Sequence, residues 1–177
     1  MRRFNIATLA SKTGANGTIT ADEVAVLRTN LFNGEEVWPP EVRALFALMH
    51  RRMPACDEFN AFIVEALSAY VVNELEPRGA VDEKNARWLI AMLRQGQESW
   101  SEIDLAVVRA VLEKAGDAPL SLQHFALEMT QCLMSGVPVR HAASSDAPAA
   151  NAPTFMADPA RAHPEAALAE LPVDVAA

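Results

Sequence analysis

The segment Asp57–Leu75 carries the pattern that most constrains the fold of this chain. Its apolar residues recur at intervals of three and four, which is the period of one face of an α-helix and not the alternation of a strand. They are Phe59, Phe62, Ile63, Ala66, Leu67, Tyr70, Val71 and Leu75. Asp57 is a candidate N-cap, and the helix should end near Glu76-Pro77, because the residue before a proline is disfavoured in the helical region. An apolar face this wide needs partners on several sides, so we predict the central helix of an all-α domain.

Five further segments show the same helical period and are bounded by caps, prolines or glycines. Their predicted starts are Thr20, Pro39, Asp82, Ser101 and Ser121. The segment from Thr20 to Glu23 has the capping-box pattern, in which the two side chains each bond the backbone of the other residue. A short apolar patch before Gly14 predicts only an opening turn of helix. The sequence therefore predicts a compact bundle of about six helices.

The composition divides the chain into three parts. With 177 residues, 51% of them hydrophobic, it can form one domain with room for an extension. We predict an N-terminal segment over 1–16, the helical domain over 17–136 and a disordered tail over 137–177. The tail is rich in Ala, Pro and Asp and has too few large apolar residues to offset chain entropy. Two interpretations of the tail are open: it contains a short docking motif at Phe155-Met156, or it is inert, and we favour the inert tail.

Charge and cysteine content narrow the partners and the compartment. The net charge of −8 is repelled by phosphate backbones, so we expect no nucleic-acid partner. No apolar run approaches the roughly 18 residues of a membrane span, and the N-terminus lacks the pattern of a signal peptide. Cys56 and Cys132 are two isolated cysteines without a metal or disulfide pattern. We therefore predict reduced thiols and a cytoplasmic protein.

An internal duplication is visible in the spacing of the landmark residues. Six residues from Gly17 to Trp38 have counterparts 62 positions later, from Gly79 to Trp100, and after the tryptophans the offset becomes 63. At that offset Phe62 pairs with Phe125, and Glu65 pairs with Glu128. We predict two three-helix units that pack through their third helices, Asp57–Leu75 and the helix that starts at Ser121.

Trp38 and Trp100 occupy equivalent turns of the two units. One interpretation is that each indole plugs the turn over the core. The other is that each is an exposed aromatic anchor for a partner, since tryptophan is enriched at binding hot spots.

The turn Lys12–Glu23 can be superimposed on the calcium loop of an EF-hand. Gly17 falls at the sharp turn, Ile19 at the apolar bridge position and Glu23 at the closing position. Lys12 and Gly14, however, stand where the loop needs its first two carboxylates. Glu23 also has a simpler interpretation as a helix-capping residue.

The corresponding turn Glu74–Asn85 is equally degenerate. Glu74 and Asp82 fall at ligand positions, but Arg78 lies within the loop and Asn85 replaces the closing glutamate. Neither turn has the ligand set of a tight calcium site.

A helical domain with repeated Gly-x-Ile/Val turns, each followed by a capping Glu or Asp, resembles the TerB-like (tellurite-resistance-like) and EF-hand-like families of bacterial proteins. The resemblance covers roughly 16–134. It implies an all-helical fold and a metal-sensing or protein-interaction role. The dense acidic cluster that often accompanies metal sensing in such domains is missing here.

His124 and Glu128 form a separate candidate for a metal site. They lie four residues apart on the last helix, the spacing at which two side chains share a face. A third ligand would have to come from elsewhere, and Glu65 is the best candidate. No catalytic motif is present, and we predict that the protein is not an enzyme and needs no cofactor.

The leading hypothesis is a non-catalytic interaction or regulatory module that binds a protein partner through a surface near the paired turns. The alternative is a divalent-cation (Ca²⁺, Mg²⁺ or Zn²⁺) binder or sensor. Its candidate ligands are Glu23, Glu74, Asp82, His124 and Glu128, and the candidate partner contacts are Trp38 and Trp100. The sequence leaves the partner and the oligomeric state open.

Overall fold

The computed structural model describes residues 6–31, 37, 39–95 and 99–136. These residues form seven α-helices, which confirms the predicted all-α class. The helices are α1 (Ile6–Lys12), α2 (Ala21–Leu31), α3 (Pro39–His50), α4 (Asp57–Ala69), α5 (Glu83–Arg94), α6 (Glu102–Lys114) and α7 (Leu120–Ser135). The predictions for Trp38, Phe155-Met156 and the tail 137–177 lie outside the described residues. No helix within the described ranges is both long and apolar enough to cross a membrane.

The helix α4 lies at the centre of the core, as its wide apolar face predicts. Phe62, Ile63 and Leu67 have no exposed surface. The helix packs against α2, α3 and α6. Tyr70–Glu74 extend it by one π-helical turn, in which the Leu75 N–H donates to the Tyr70 carbonyl 3.2 Å away. The helical segment thus ends where Glu76-Pro77 predicted.

The packing partner predicted for α4 in the second half is wrong. We expected α4 to pack against α7, but its main neighbour there is α6, while α7 packs against α5 and α6. Periodicity identifies which face of a helix is buried, but it does not identify the helix that buries it.

Side-chain caps set several helix starts. In the two capping boxes, the Thr20 hydroxyl accepts from the Glu23 N–H and the Ser101 hydroxyl accepts from the Asp104 N–H, both at 3.4 Å. Asp82 caps α5 by accepting from the Asn85 N–H at 2.7 Å. These three caps agree with the sequence prediction.

Two predicted caps are wrong. Cys56 rather than Asp57 is the N-cap of α4, and Pro119 rather than Ser121 is the N-cap of α7. Neither N-cap makes a side-chain capping bond. The Ser121 hydroxyl instead donates to Glu83 Oε2 at 2.9 Å, so a residue on another helix has recruited it.

Short backbone pairings join the inter-helix turns. The Ile19 N–H donates to the Pro54 carbonyl at 2.9 Å, within an isolated parallel bridge between Ile19 and Ala55. In the second half the Val81 N–H donates to the Asp117 carbonyl, also at 2.9 Å.

These pairings recur at the predicted offsets, since Val81 lies 62 residues after Ile19 and Asp117 lies 63 after Pro54. The helix contacts recur too: α1 packs on α3 as α4 packs on α6, and α2 packs on α4 as α5 packs on α7. In this correspondence the end of α4 is the counterpart of α1, so four helices rather than three would make each unit, with α4 shared. The duplication stays a prediction, and these contacts favour it.

Candidate functional site

The Glu23 carboxylate holds together the turn between α1 and α2. Its Oε1 accepts a hydrogen bond from the Gly14 N–H at 2.9 Å, and its Oε2 accepts bonds from the Thr20 N–H and hydroxyl at 2.9 and 3.0 Å. The backbone N–H groups of Thr20 and Gly14 lower the pKa of Glu23 from the usual 4.5, because they favour the charged form. The carboxylate therefore caps α2 and closes the turn at the same time.

The first turn does not fit a bound cation. Gly14 has a φ of +70°, which strains any residue with a side chain, and a Cβ at this position would lie 2.6 Å from the Met53 Cε and displace it, so this position is unfavourable for a carboxylate ligand. Lys12 ends α1 and supplies no oxygen ligand. Both oxygens of Glu23 already accept amide protons.

The second turn is likewise closed by its own backbone and caps. Asp82 accepts from the Asn85 amide, and the Asn85 side chain donates to the Glu76 carbonyl at 2.8 Å. The Gly79 N–H donates to the Val72 carbonyl. Glu74 lies in the π-helical turn and is half-buried. Asp82 thus acts as a helix cap.

The predicted ligands Glu65 and Glu128 pair with two different arginines. Arg28 lies 2.6 Å from a Glu65 oxygen, and Arg94 lies 3.4 Å from a Glu128 oxygen. His124 is exposed on α7. Within the described ranges, no three or more His, Cys, Asp or Glu side chains are grouped so as to hold a metal ion.

Both arginines also lie over phenylalanine rings. The Arg28 guanidinium carbon is 5.8 Å from the Phe62 ring centre, and that of Arg94 is 5.2 Å from the Phe125 ring centre. Each half therefore has an Arg–Phe–Glu group built on a Phe-x-x-Glu pair. The repeat in the sequence matches Phe62 with Phe125 and Glu65 with Glu128. Arg28 and Arg94 are 66 residues apart, one helical turn more than the 62-residue offset, so the sequence analysis did not match them.

Trp100 has the geometry of a plug. Only 5% of its surface is exposed, and its ring packs edge-on against Phe125 with the ring centres 5.2 Å apart. An aromatic anchor for a partner would have to be exposed.

The basic cluster His50–Arg52 is used inside the fold. The Arg51 guanidinium donates to the Thr13 carbonyl at 3.0 Å, at the carboxyl end of α1 where a cation is favoured. Arg52 donates to the Ser99 carbonyl and lies 3.4 Å from the buried Asp104 carboxylate. Burial lowers the pKa of His50 from 6.5, with Asp104 opposing the shift. This cluster joins elements rather than presenting a free cationic patch.

The outer face of α7 carries a feature that the sequence reading missed. In the described part of the chain, four large hydrophobic side chains are exposed, and three of them lie on α7: Leu120 at 69%, Leu127 at 60% and Met134 at 85%. They are spaced seven residues apart, which places them in one row. The opposite side of α7 buries Leu122, Phe125 and Met129 in the core. We call the row of Leu120, Leu127 and Met134 the α7 row.

The signal for the α7 row was present in the sequence. Leu120, Leu127 and Met134 do not fit the inward set of α7, so a helical projection leaves them on the far side. Sequence alone could not show that none of the helices of the described residues covers this far side.

Comparisons with known proteins assign no family to the chain. The sequence matches no protein-family model, and searches of curated proteins and of solved structures gave no match. The TerB-like resemblance therefore stays a prediction.

Proposed function

We propose that the chain is a non-catalytic helical interaction module whose binding surface is the outer face of α7. The observation that carries this proposal is the α7 row. One exposed leucine on a surface is ordinary, but three large apolar side chains aligned on one helix, with the exposed Gln123 and Gln131 between them, form a mixed apolar and polar face that can bind a partner. The row extends over about 21 Å at the rise of an α-helix, which is the length of a helix-in-groove or helix-pair contact.

The roles of the polar groups support a non-catalytic function. Glu23, Asp82 and Asp104 cap helices, and Glu65 and Glu128 are paired with arginines. These groups stabilise the fold. If they transferred a proton or bound a metal, the capping hydrogen bonds and the arginine–glutamate ion pairs would be lost.

The α7 face replaces the surface near the paired turns as our proposed binding surface. The backbone groups of Ile19 and Val81 in those turns already bond Pro54 and Asp117. These hydrogen bonds give the turns a role in stabilising the fold. The side chains of the α7 row are exposed and are not part of the core.

Site-specific photocrosslinking tests the proposal. A photoreactive amino acid replaces Leu127 in the full chain in cells, and a matched chain carries it at Val26, an exposed apolar residue of α2. We expect covalent protein adducts from position 127 and few from position 26. Absence of adducts at 127, or equal adducts at both positions, would count against α7 as the binding surface.

A further inference from the structure

We propose that the occupant of the α7 face is a second copy of this chain, bound with the two α7 helices antiparallel about a two-fold axis beside Leu127. This inference rests on the function proposed above and names its partner. It is carried by the symmetry of the α7 face. The charge of the face is compatible with a second acidic chain, and its size sets the expected affinity.

Five exposed residues of α7 are arranged symmetrically about Leu127, whereas the exposed His124, Glu128 and Ser135 are not. A two-fold interface requires a surface that is complementary to itself. Leu120 and Met134 each lie seven residues from Leu127, and Gln123 and Gln131 each lie four residues from it. In an antiparallel pair centred on Leu127, each apolar residue therefore meets an apolar residue.

The glutamines complete this match. Gln123 of one copy comes beside Gln131 of the other, and two amide side chains can each donate and accept a hydrogen bond. Both glutamines are exposed in the single chain. The antiparallel arrangement also places the positive N-terminal end of each helix dipole beside the negative C-terminal end of the other, which a parallel pair does not.

The near-neutral α7 face disfavours a charged partner and is compatible with a second copy of this acidic chain. Two copies with a net charge of −8 repel each other, so their contact must lie where like charge is scarce. α7 has a single carboxylate, Glu128, and Arg94 neutralises it at 3.4 Å. α7 contains no lysine or arginine, so it also lacks the basic rim with which amphipathic helices bind acidic lipids.

The size of the α7 row predicts a weak dimer. Each copy supplies only three large apolar side chains to the contact, so we expect the pair of helices to bury less than the roughly 1,200 Å² of a stable interface. We expect a reversible dimer with a dissociation constant in roughly the micromolar-to-millimolar range.

Sedimentation equilibrium of the full chain tests the dimer. We expect the apparent mass to rise with concentration for the wild type and for Val26→Glu, and to remain that of the monomer for Leu127→Glu and Leu127→Lys. Leu127 is exposed, so we expect both charge variants to melt like the wild type. A monomeric wild type, or a Leu127→Glu variant that associates like Val26→Glu, would overturn the inference.

A charge-swap experiment tests the two-fold axis. Because residue 127 faces its own counterpart, a mixture of Leu127→Glu and Leu127→Lys chains should form a mixed dimer although neither variant dimerises alone. Failure of the mixture to associate would overturn the placement of the axis at Leu127. Thermal melts of Leu127→Glu and Leu127→Lys, each compared with the wild type, establish beforehand that both chains are folded.

Cysteine pairing tests the antiparallel direction. Under oxidation, a Leu120→Cys chain should form a disulfide with a Met134→Cys chain, and Leu127→Cys should cross-link to itself. The wild type, with only Cys56 and Cys132, is the control. Self-linking by Leu120→Cys without mixed linking would show parallel helices and overturn the arrangement.

The outcomes separate this inference from the proposed function. If the wild type stays monomeric but photocrosslinking at position 127 still captures a different protein, the second copy is wrong and the interaction module stands. If neither dimer nor adduct forms, both proposals are wrong.

Discussion

The carboxylate of Glu23 accepts hydrogen bonds from both ends of the turn between α1 and α2. From the sequence, Glu23 had two interpretations, as a capping residue and as the closing ligand of a calcium loop. The capping role could be predicted because Thr20 lies three residues away. The bond to the Gly14 N–H, nine residues away, could not be predicted, because it depends on how the whole turn folds back.

Replacing Glu23 by glutamine should lower the free energy of unfolding by about 1 kcal/mol near neutral pH, since one amide oxygen cannot replace two charged acceptors. The folded-state pKa of Glu23 lies below 4.5, so its contribution is present above that value and is lost as the pH falls through the folded-state pKa. Urea unfolding at several pH values should therefore show the gap between wild type and Glu23→Gln narrowing in acid. Glu113→Gln, on the surface of α6, controls for the loss of one charge. A gap that is constant with pH would contradict this account of Glu23.

At the scale of the element, most helices could be predicted because their apolar positions repeat at 3.6 residues. The start of α7 could not, because the Ser121 hydroxyl is recruited by Glu83, 38 residues earlier. The seven-residue α1 was expected only as a turn. Arg51, which directly follows α3, caps its carboxyl end by donating to the carbonyl of Thr13, 38 residues earlier in the sequence. Local sequence contains no signal for such contacts.

Truncation of Phe62 tests the central role of α4. Phe62 is fully buried and lies beneath the Arg28 guanidinium. Phe62→Ala should lower the free energy of unfolding by about 3–5 kcal/mol, because it removes buried apolar surface and leaves a cavity. Leu127→Ala, on the exposed row of α7, should change it by less than about 0.5 kcal/mol. Chemical denaturation measures both, and equal effects would contradict the assignment of α4 to the core and of the α7 row to the surface.

At the scale of the whole molecule, the candidate metal ligands lie in different parts of the fold, where several of them cap helices or pair with arginines. Sequence spacing could bring His124 and Glu128 to one face of a helix, because both lie on α7. It could not show that Arg94 pairs with Glu128 or that Arg28 pairs with Glu65, because both arginines come from other helices. Glu65, the third candidate ligand of the predicted site, therefore pairs with Arg28.

This distribution predicts that divalent cations do not stabilise the fold. A ligand that binds only the native state adds about 2.7 kcal/mol at 100 times its dissociation constant, which raises the melting temperature by several degrees. We expect the chelator-treated protein to melt at the same temperature with and without millimolar Ca²⁺, Mg²⁺ or Zn²⁺, because the oxygens of Glu23 accept amide protons and the Lys12 side chain supplies no oxygen ligand. The melts are compared at equal ionic strength, so that general screening of the acidic chain is the same in every sample. A rise specific to one cation would contradict this expectation, and its loss in Glu23→Gln, Asp82→Asn or His124→Gln would then locate the ion.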